Sequence, residues 1–241
     1  MGEAGSGGGH DDPGYGGQYG QPEPPARYEV GEAWATGFRL FGKHAPAFLL
    51  MMLLIALSVL IFAGLSVAFS DHTATDNAFE VDYTTPQIVL QIVGSIVTTL
   101  LEAALIRGAL DAVDGKPVSL GGMLTGWDKL QILIAVIVVR LLMVIGLILL
   151  VIPGVIFYFL SWYTNFQIVD TGRSAFEAIK ESIRFTRQHV GPLLLTALLA
   201  VVTNLVGACL CGVGLLVTVP VTTLMAAVAF RQLQGRGIVT R

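Results

Sequence analysis

Long apolar runs alternate with short polar joints along most of this chain. The runs fall at about 47–69, 87–110, 130–146, 147–169, 191–208 and 213–230. At 1.5 Å rise per residue, a helix of about 20 residues crosses the roughly 30 Å hydrocarbon core of a bilayer. The pattern therefore predicts an all-α, polytopic membrane protein with six transmembrane helices. The third and fourth runs share the stretch "RLLMVIGLILLVIPGVIF", which has no polar loop. Their turn is expected between Gly146 and Gly154, where Pro153 ends one helix or kinks the next.

The joints carry a second pattern. In "SAFEAIKESIRFTRQH", Ser174 and Glu177 have the S-x-x-E spacing of a capping box, which marks a helix start. Phe176, Ile179 and Ile183 recur at i, i+3 and i+7, a single apolar stripe, with charged residues on the remaining face. Such a helix is expected to lie flat at a membrane interface. "EAWATGFRLFGKHAPAFLL" from Glu32 aligns with "EAIKESIRFTRQHVGPLLL" from Glu177, matching Ala33 to Ala178, Arg39 to Arg184 and His44 to His189. Trp34, Phe38 and Phe41 form the equivalent stripe. A weaker third copy begins at Val118, and "LLVIPGVIF" and "LLVTVPVTT" align Pro153 with Pro220. Three parallel hairpin repeats follow, each preceded by an interfacial amphipathic helix.

Charge sets the orientation. Arg27, Arg39 and Lys43 precede the first run; Arg107, Lys116 and Lys129 flank the second joint; Arg173, Lys180, Arg184 and Arg187 lie in the fourth; Arg231, Arg236 and Arg241 close the chain. The other joints hold no Lys or Arg, and the first carries Asp71, Asp76, Glu80 and Asp82. By the positive-inside rule both termini are expected in the cytoplasm of a bacterium, with the protein multi-pass in the inner membrane. Arg39, Lys43, Lys180, Arg184 and Arg187 are the candidate contacts to anionic lipid headgroups, at about 1 kcal/mol each near the surface, or to a protein partner. Residues 1–28, rich in Gly, Pro, Gln and Tyr with no apolar segment, are expected to be a disordered tail without a signal peptide. Residues 29–235 then form the membrane domain and 236–241 a short tail. Only 13% of residues are charged, against 54% hydrophobic, and a net charge of −3 argues against a nucleic-acid partner.

Two ionisable side chains fall well inside the runs. Glu102 and Arg140 lie ten to eleven residues from the cytoplasmic ends of the second and third spans, roughly 15 Å deep. An unpaired charge costs several kcal/mol there, so the two are expected to pair across adjacent helices. Asn165 and Asn204 are expected to bond between helices, and Thr98 and Thr99 to return their hydroxyls to the backbone. Asp170, Glu177 and Glu181 suit a cation or pairing with Arg173 and Arg184. His44 and His189 lack partners at metal-ligand spacing, and Cys209 with Cys211 forms a C-x-C without a four-ligand pattern. No phosphate loop, dinucleotide fingerprint or metalloprotease helix is present, and no catalytic set converges. Neither cofactor nor metal is expected, nor an enzyme.

The run from "IPGVIFYFLSWYTNFQIVDTGRSAFEAIKESIRF" to "VPVTTLMAAVAFRQLQG" resembles a group of bacterial six-span proteins. The group includes the membrane domain of some glycerophosphodiester phosphodiesterases and actinobacterial proteins with Pro/Gly-rich tails. The shared features are the IPG turn, A-x-x-x-S at Ala178 and Ser182, and a closing L-x-G. The resemblance implies a fold rather than an activity, since the phosphodiesterase catalytic domain is absent from this sequence. The expected role is a non-catalytic membrane scaffold or accessory protein in envelope or lipid organisation. The alternative is a transporter, or the membrane subunit of a transport complex, with a buried Glu102–Arg140 site.

Overall fold

The computed structural model describes residues 28–69, 85–149, 151–210 and 212–238. The described residues form α1 (Val30–Ala68), α2 (Thr85–Val113), α3 (Leu120–Met123), α4 (Lys129–Leu149), α5 (Val151–Ser161), α6 (Thr164–Thr171), α7 (Ala175–Gln188), α8 (Val190–Cys209) and α9 (Leu215–Leu233), with no strand among them. The expected disordered tail, 1–28, lies outside these residues except at Tyr28, whose hydroxyl hydrogen-bonds Thr196 on α8. Arg236 and Ile238 are likewise described, while 239–241 lie outside.

Five helices among the described residues, α1, α2, α4, α8 and α9, are long and apolar enough to cross a membrane. The expected fourth span is not one helix. Its run divides into α5, 11 residues long, and α6, 8 residues long, on either side of Trp162 and Tyr163. The tertiary environment accounts for the break. The Tyr163 ring is fully buried, stacked on Phe230 (centroids 5.8 Å apart, planes 7° apart) and packed against Phe166 and Phe185 at 5.2 Å. α4 ends at Leu149 and α5 begins at Val151, inside the expected window. This hairpin is tight because Gly146 and Gly154 have no side chains: a Cβ on Gly146 would lie 2.9 Å from the Gly154 Cα.

Amphipathic and apolar segments meet at bends. Within α1 the backbone leaves helical geometry at His44 (φ −118°, ψ 19°), and Pro46 follows without an N–H to give. The junction of α7 and α8 has nearly the same geometry at His189 (φ −128°, ψ 35°), with Pro192 in the next turn. The third expected amphipathic helix shrinks to the four residues of α3, capped by Ser119. Gly121 and Gly122 weaken it, and Asp128 accepts hydrogen bonds from the amides of Leu130 and Gln131 to start α4 at once. Ser174 and Glu177 form the capping box at the start of α7.

The buried faces of the amphipathic segments differ from the expected aromatic stripes. In α1 the buried residues are Ala33, Thr36, Gly37 and Leu40, while Trp34 and Phe38 are each 37% exposed and meet edge to face. In α7 the buried set is Ala175, Ala178, Ile179, Ser182, Phe185 and Thr186, with Phe176 exposed. Small residues win because they let backbones approach. A Cβ on Gly37 would sit 2.9 Å from the Val221 carbonyl oxygen of α9, and the Ser182 hydroxyl donates to the Leu160 carbonyl of α5 at 2.9 Å.

α9 is the central helix: Val221, Thr222 and every residue from Leu224 to Arg231 are buried. It packs against α1, α2 and α8; α4 pairs with α5; and α7 lies across α5 and α6. The other long helices turn apolar faces outward, for example Leu194, Leu198, Val201 and Leu205 on α8. So much contiguous exposed apolar surface suits lipid as the surrounding solvent.

At one end of the bundle a buried ionic clamp joins three chain segments. Arg231, its side chain 4% exposed, donates from Nε to Asp114 Oδ1 at 2.7 Å and from Nη2 to Oδ2 at 2.8 Å. Its Nη1 lies 2.8 Å from Asp170 Oδ1. Lys116 flanks Asp114 at 3.1 Å and Arg236 flanks Asp170 at 3.2 Å. Asp170 is thus committed to Arg231 and Arg236, not to Arg173, which pairs with Glu181 at 3.5 Å. Burial, the largest influence on the Asp114 carboxyl, favours its neutral form. The hydrogen bonds and charges of Arg231 and Lys116 together outweigh it and hold the carboxyl below its ordinary 3.8.

A carboxyl depressed on folding contributes stability that is present above its unfolded value and lost as pH falls through the folded one. Acid titration of the purified protein, followed by thermal unfolding in mild detergent, should show a loss below about pH 4 that is smaller in Asp114→Asn. Arg231→Gln leaves two carboxylates facing each other and should cost about 3 kcal/mol at neutral pH. Gly37→Leu should separate α1 from α9 and lower the unfolding temperature more than Gly42→Leu does, because nothing lies within 4 Å of a Cβ at Gly42.

Candidate functional site

Polar residues recur along one face of α2 at Gln91, Ser95, Thr98 and Glu102, with spacings of four, three and four residues. That periodicity puts them in a single stripe of an otherwise apolar helix. The stripe faces two cavities. The smaller, about 320 Å³, lies between α1 and α2 and is lined by Phe62, Gln91, Ser95 and Thr98. The larger, about 550 Å³, is walled by α2, α4, α5, α6, α8 and α9. Thr99, Glu102 and Arg140 line both.

The break between α5 and α6 opens onto the larger cavity. Ser161, Trp162, Thr164 and Asn165 line it there, opposite Asn204 on α8 and Thr222 and Thr223 on α9. Irregular backbone at membrane depth is tolerated where it lines a cavity or is buried in protein, and both hold here. The Asn204 side-chain amide donates to Thr222 Oγ1 at 3.2 Å, the bond between helices expected of it. Its Oδ1, like Thr164 Oγ1, is buried without a partner among the described residues. Phe166 and Ala226 close the cavity toward the aromatic cluster of Tyr163, Phe185 and Phe230. The clamp of Asp114, Arg231 and Asp170 lies at the ends of α2, α6 and α9 beyond it.

Glu102 and Arg140 come together at this cavity, but not as the bidentate pair expected. Their charges are close enough to attract. Among the described residues, neither makes a hydrogen bond or an ion pair. Both residues are exposed and line the two cavities. Asn165, on the cavity wall, also makes no side-chain hydrogen bond among the described residues. A guanidinium, a carboxylate, two amides and several hydroxyls thus converge on one space, an arrangement able to bind a small polar group rather than to activate a nucleophile.

The remaining candidates are dispersed. Arg39 donates to Thr36 Oγ1 at 2.8 Å on its own helix, while Lys180, Arg184 and Arg187 stand exposed on α7. Lys43 is exposed one residue before the bend at His44. His189 shares a hydrogen bond through Nδ1 with the Phe185 carbonyl at 3.0 Å. Cys209 is free and exposed; Cys211 lies outside the described residues. Sequence reasoning missed the Gln91–Ser95 half of the stripe, although its helical period was available. It also missed the clamp, whose trace is the pair "VDGKPVS" and "VDTGRS", each with an Asp, a left-handed Gly (Gly115, φ 72°; Gly172, φ 65°) and a Ser at the next helix start.

Uncharacterized proteins of Mycobacterium bovis and Mycobacterium tuberculosis are each 30% identical to this chain over 229 residues, covering 88% of it and 70% of their own length. No solved structure matches. The family model described as a domain of unknown function (DUF7847) matches residues 118–240, from the joint after α2 through α9. By the extent of these matches, the chain belongs to the DUF7847 family.

Proposed function

We propose that this protein is a transporter, or the membrane subunit of a transport complex, binding a polar solute around Glu102 and Arg140. The observation that carries this reading is the 550 Å³ cavity, reached by two unpaired opposite charges and by the broken segment between α5 and α6. Unwound segments and buried ionisable groups mark the substrate sites of many transporters. The stripe from Gln91 to Glu102 supplies a polar lining toward one end of α2, while the aromatic cluster and the clamp seal the other. With both termini cytoplasmic in the bacterial inner membrane, the stripe is the outer route and the clamp end the inner seal.

The same reading takes the fold as three parallel hairpin units. Supporting it are the matching bends at His44 and His189, the left-handed Gly115, Gly172 and Gly235, and a pattern of packing. α3 lies on α2, α7 on α5, and the first part of α1 on α9. Each amphipathic element thus rests on the second span of the preceding unit, and the ring closes on itself. The tie to phosphodiesterase membrane domains rests on the IPG turn, on Ala178 and Ser182, and on the closing L-x-G of Leu233 and Gly235.

A second reading, a scaffold that recruits lipid or protein, is favoured by the exposed Lys180, Arg184 and Arg187 and by the outward Trp34–Phe38 pair. Single cysteines at Thr98, Thr99 and Val136, in a Cys209→Ser, Cys211→Ser background, separate the two. A charged, membrane-impermeant thiol reagent should label them in intact membranes, while Leu198→Cys on the lipid face stays unreacted. Protection of all three would sink the transport reading in favour of the scaffold.

A further inference from the structure

The larger cavity contains an unresolved electrostatic problem. Glu102 and Arg140 carry opposite charges on the neighbouring helices α2 and α4, yet no ion pair joins them. Both residues are exposed along the cavity rather than packed in protein, and away from water a charge left without a counter-ion is costly. The Asn165 side-chain amide, which makes no hydrogen bond among the described residues, adds a donor and an acceptor on the wall of the same space.

We infer that this cavity receives a zwitterionic group, its anionic end on Arg140 and its ammonium end on Glu102. The inference rests on the transport reading and names its ligand class. A purely anionic ligand would bring its charge beside the Glu102 carboxylate, and a purely cationic one would face the Arg140 guanidinium. Only a ligand carrying both charges completes both side chains, and the unpaired group rejects the others. A volume of about 550 Å³ holds a headgroup-sized molecule. The chemistry is shared by an ethanolamine phospholipid headgroup and by a free amino-phosphate solute. The lining admits either: Tyr158 on the α5 wall is 56% exposed, and the neighbouring faces of α5 and α8 are apolar and outward.

The test uses the full chain in nonionic detergent. Short-chain phosphatidylethanolamine and phosphatidylglycerol are compared by native mass spectrometry, and phosphoethanolamine in water by calorimetry. Phosphatidylethanolamine should bind in preference to phosphatidylglycerol, with Glu102→Gln and Arg140→Gln each weakening it about tenfold. Binding of phosphoethanolamine alone, with the same two sensitivities, assigns the source to a free solute; binding of the lipid only assigns it to the bilayer. Preference for phosphatidylglycerol, or anion binding unharmed by Glu102→Gln, overturns the inference. So does better accumulation of the Glu102→Gln, Arg140→Gln double variant than of either single variant, the signature of a direct structural pair. Should the charge variants not fold, Asn165→Leu on the cavity wall must weaken binding instead. No binding by any probe, with Thr99→Cys still labelled from water, overturns this ligand class and leaves transport standing; no binding with no labelling removes both.

Discussion

The contact of Arg231 with Asp114 and Asp170 is the constraint on which the rest of the architecture depends. Arg231 ends the buried helix α9, Asp114 follows α2, and Asp170 is near the end of α6. Three chain segments distant in sequence are therefore held at one level. Moving any of them would take at least one carboxylate from the buried guanidinium, a costly loss where water is excluded. Lys116 and Arg236 each add a cation at the edge, so both carboxylates have a second positive partner.

From that level the aromatic cluster and the cavity follow in order. With α2, α6 and α9 fixed at their ends, Tyr163 is enclosed by Phe166, Phe185 and Phe230, and the helix through Tyr163 is interrupted. The interruption turns Ser161, Thr164 and Asn165 toward the space that Glu102 and Arg140 also reach. Close backbone approach supports the same geometry from the other side. Gly37 against Val221 and Ser182 against Leu160 bring amphipathic segments onto the spans with little side-chain bulk between. Lipid contributes little to such contacts, since acyl chains are as apolar as the helices; fit between small residues does the work instead.

Much of this was legible in particular residues. The bend before a span could be anticipated at His44 and His189 from their shared neighbours, and the α7 start from Ser174 and Glu177. The α4–α5 turn fell between Gly146 and Gly154 because a chain with no polar loop must reverse where glycine permits. Other features were misjudged for identifiable reasons. The stripes through Trp34 and Phe176 left open whether lipid or protein covers them, and both residues are exposed. The run 147–169 looked like one span because hydropathy registers length and composition but not where an aromatic ring is enclosed.

The sequence by itself determined the elements and the solvent they suit: helices long and apolar enough for a bilayer, polar joints with their caps, and two charges within apolar runs. Those are local properties, set by composition, period and the backbone needs of Gly and Pro. Tertiary structure alone decided that Asp114 and Asp170 share one arginine, that Ala33, Thr36 and Gly37 rather than Trp34 and Phe38 face inward on α1, and that Glu102 and Arg140 border a cavity instead of touching. These depend on distances between residues far apart in the chain, which the order of amino acids encodes only through the packing it produces.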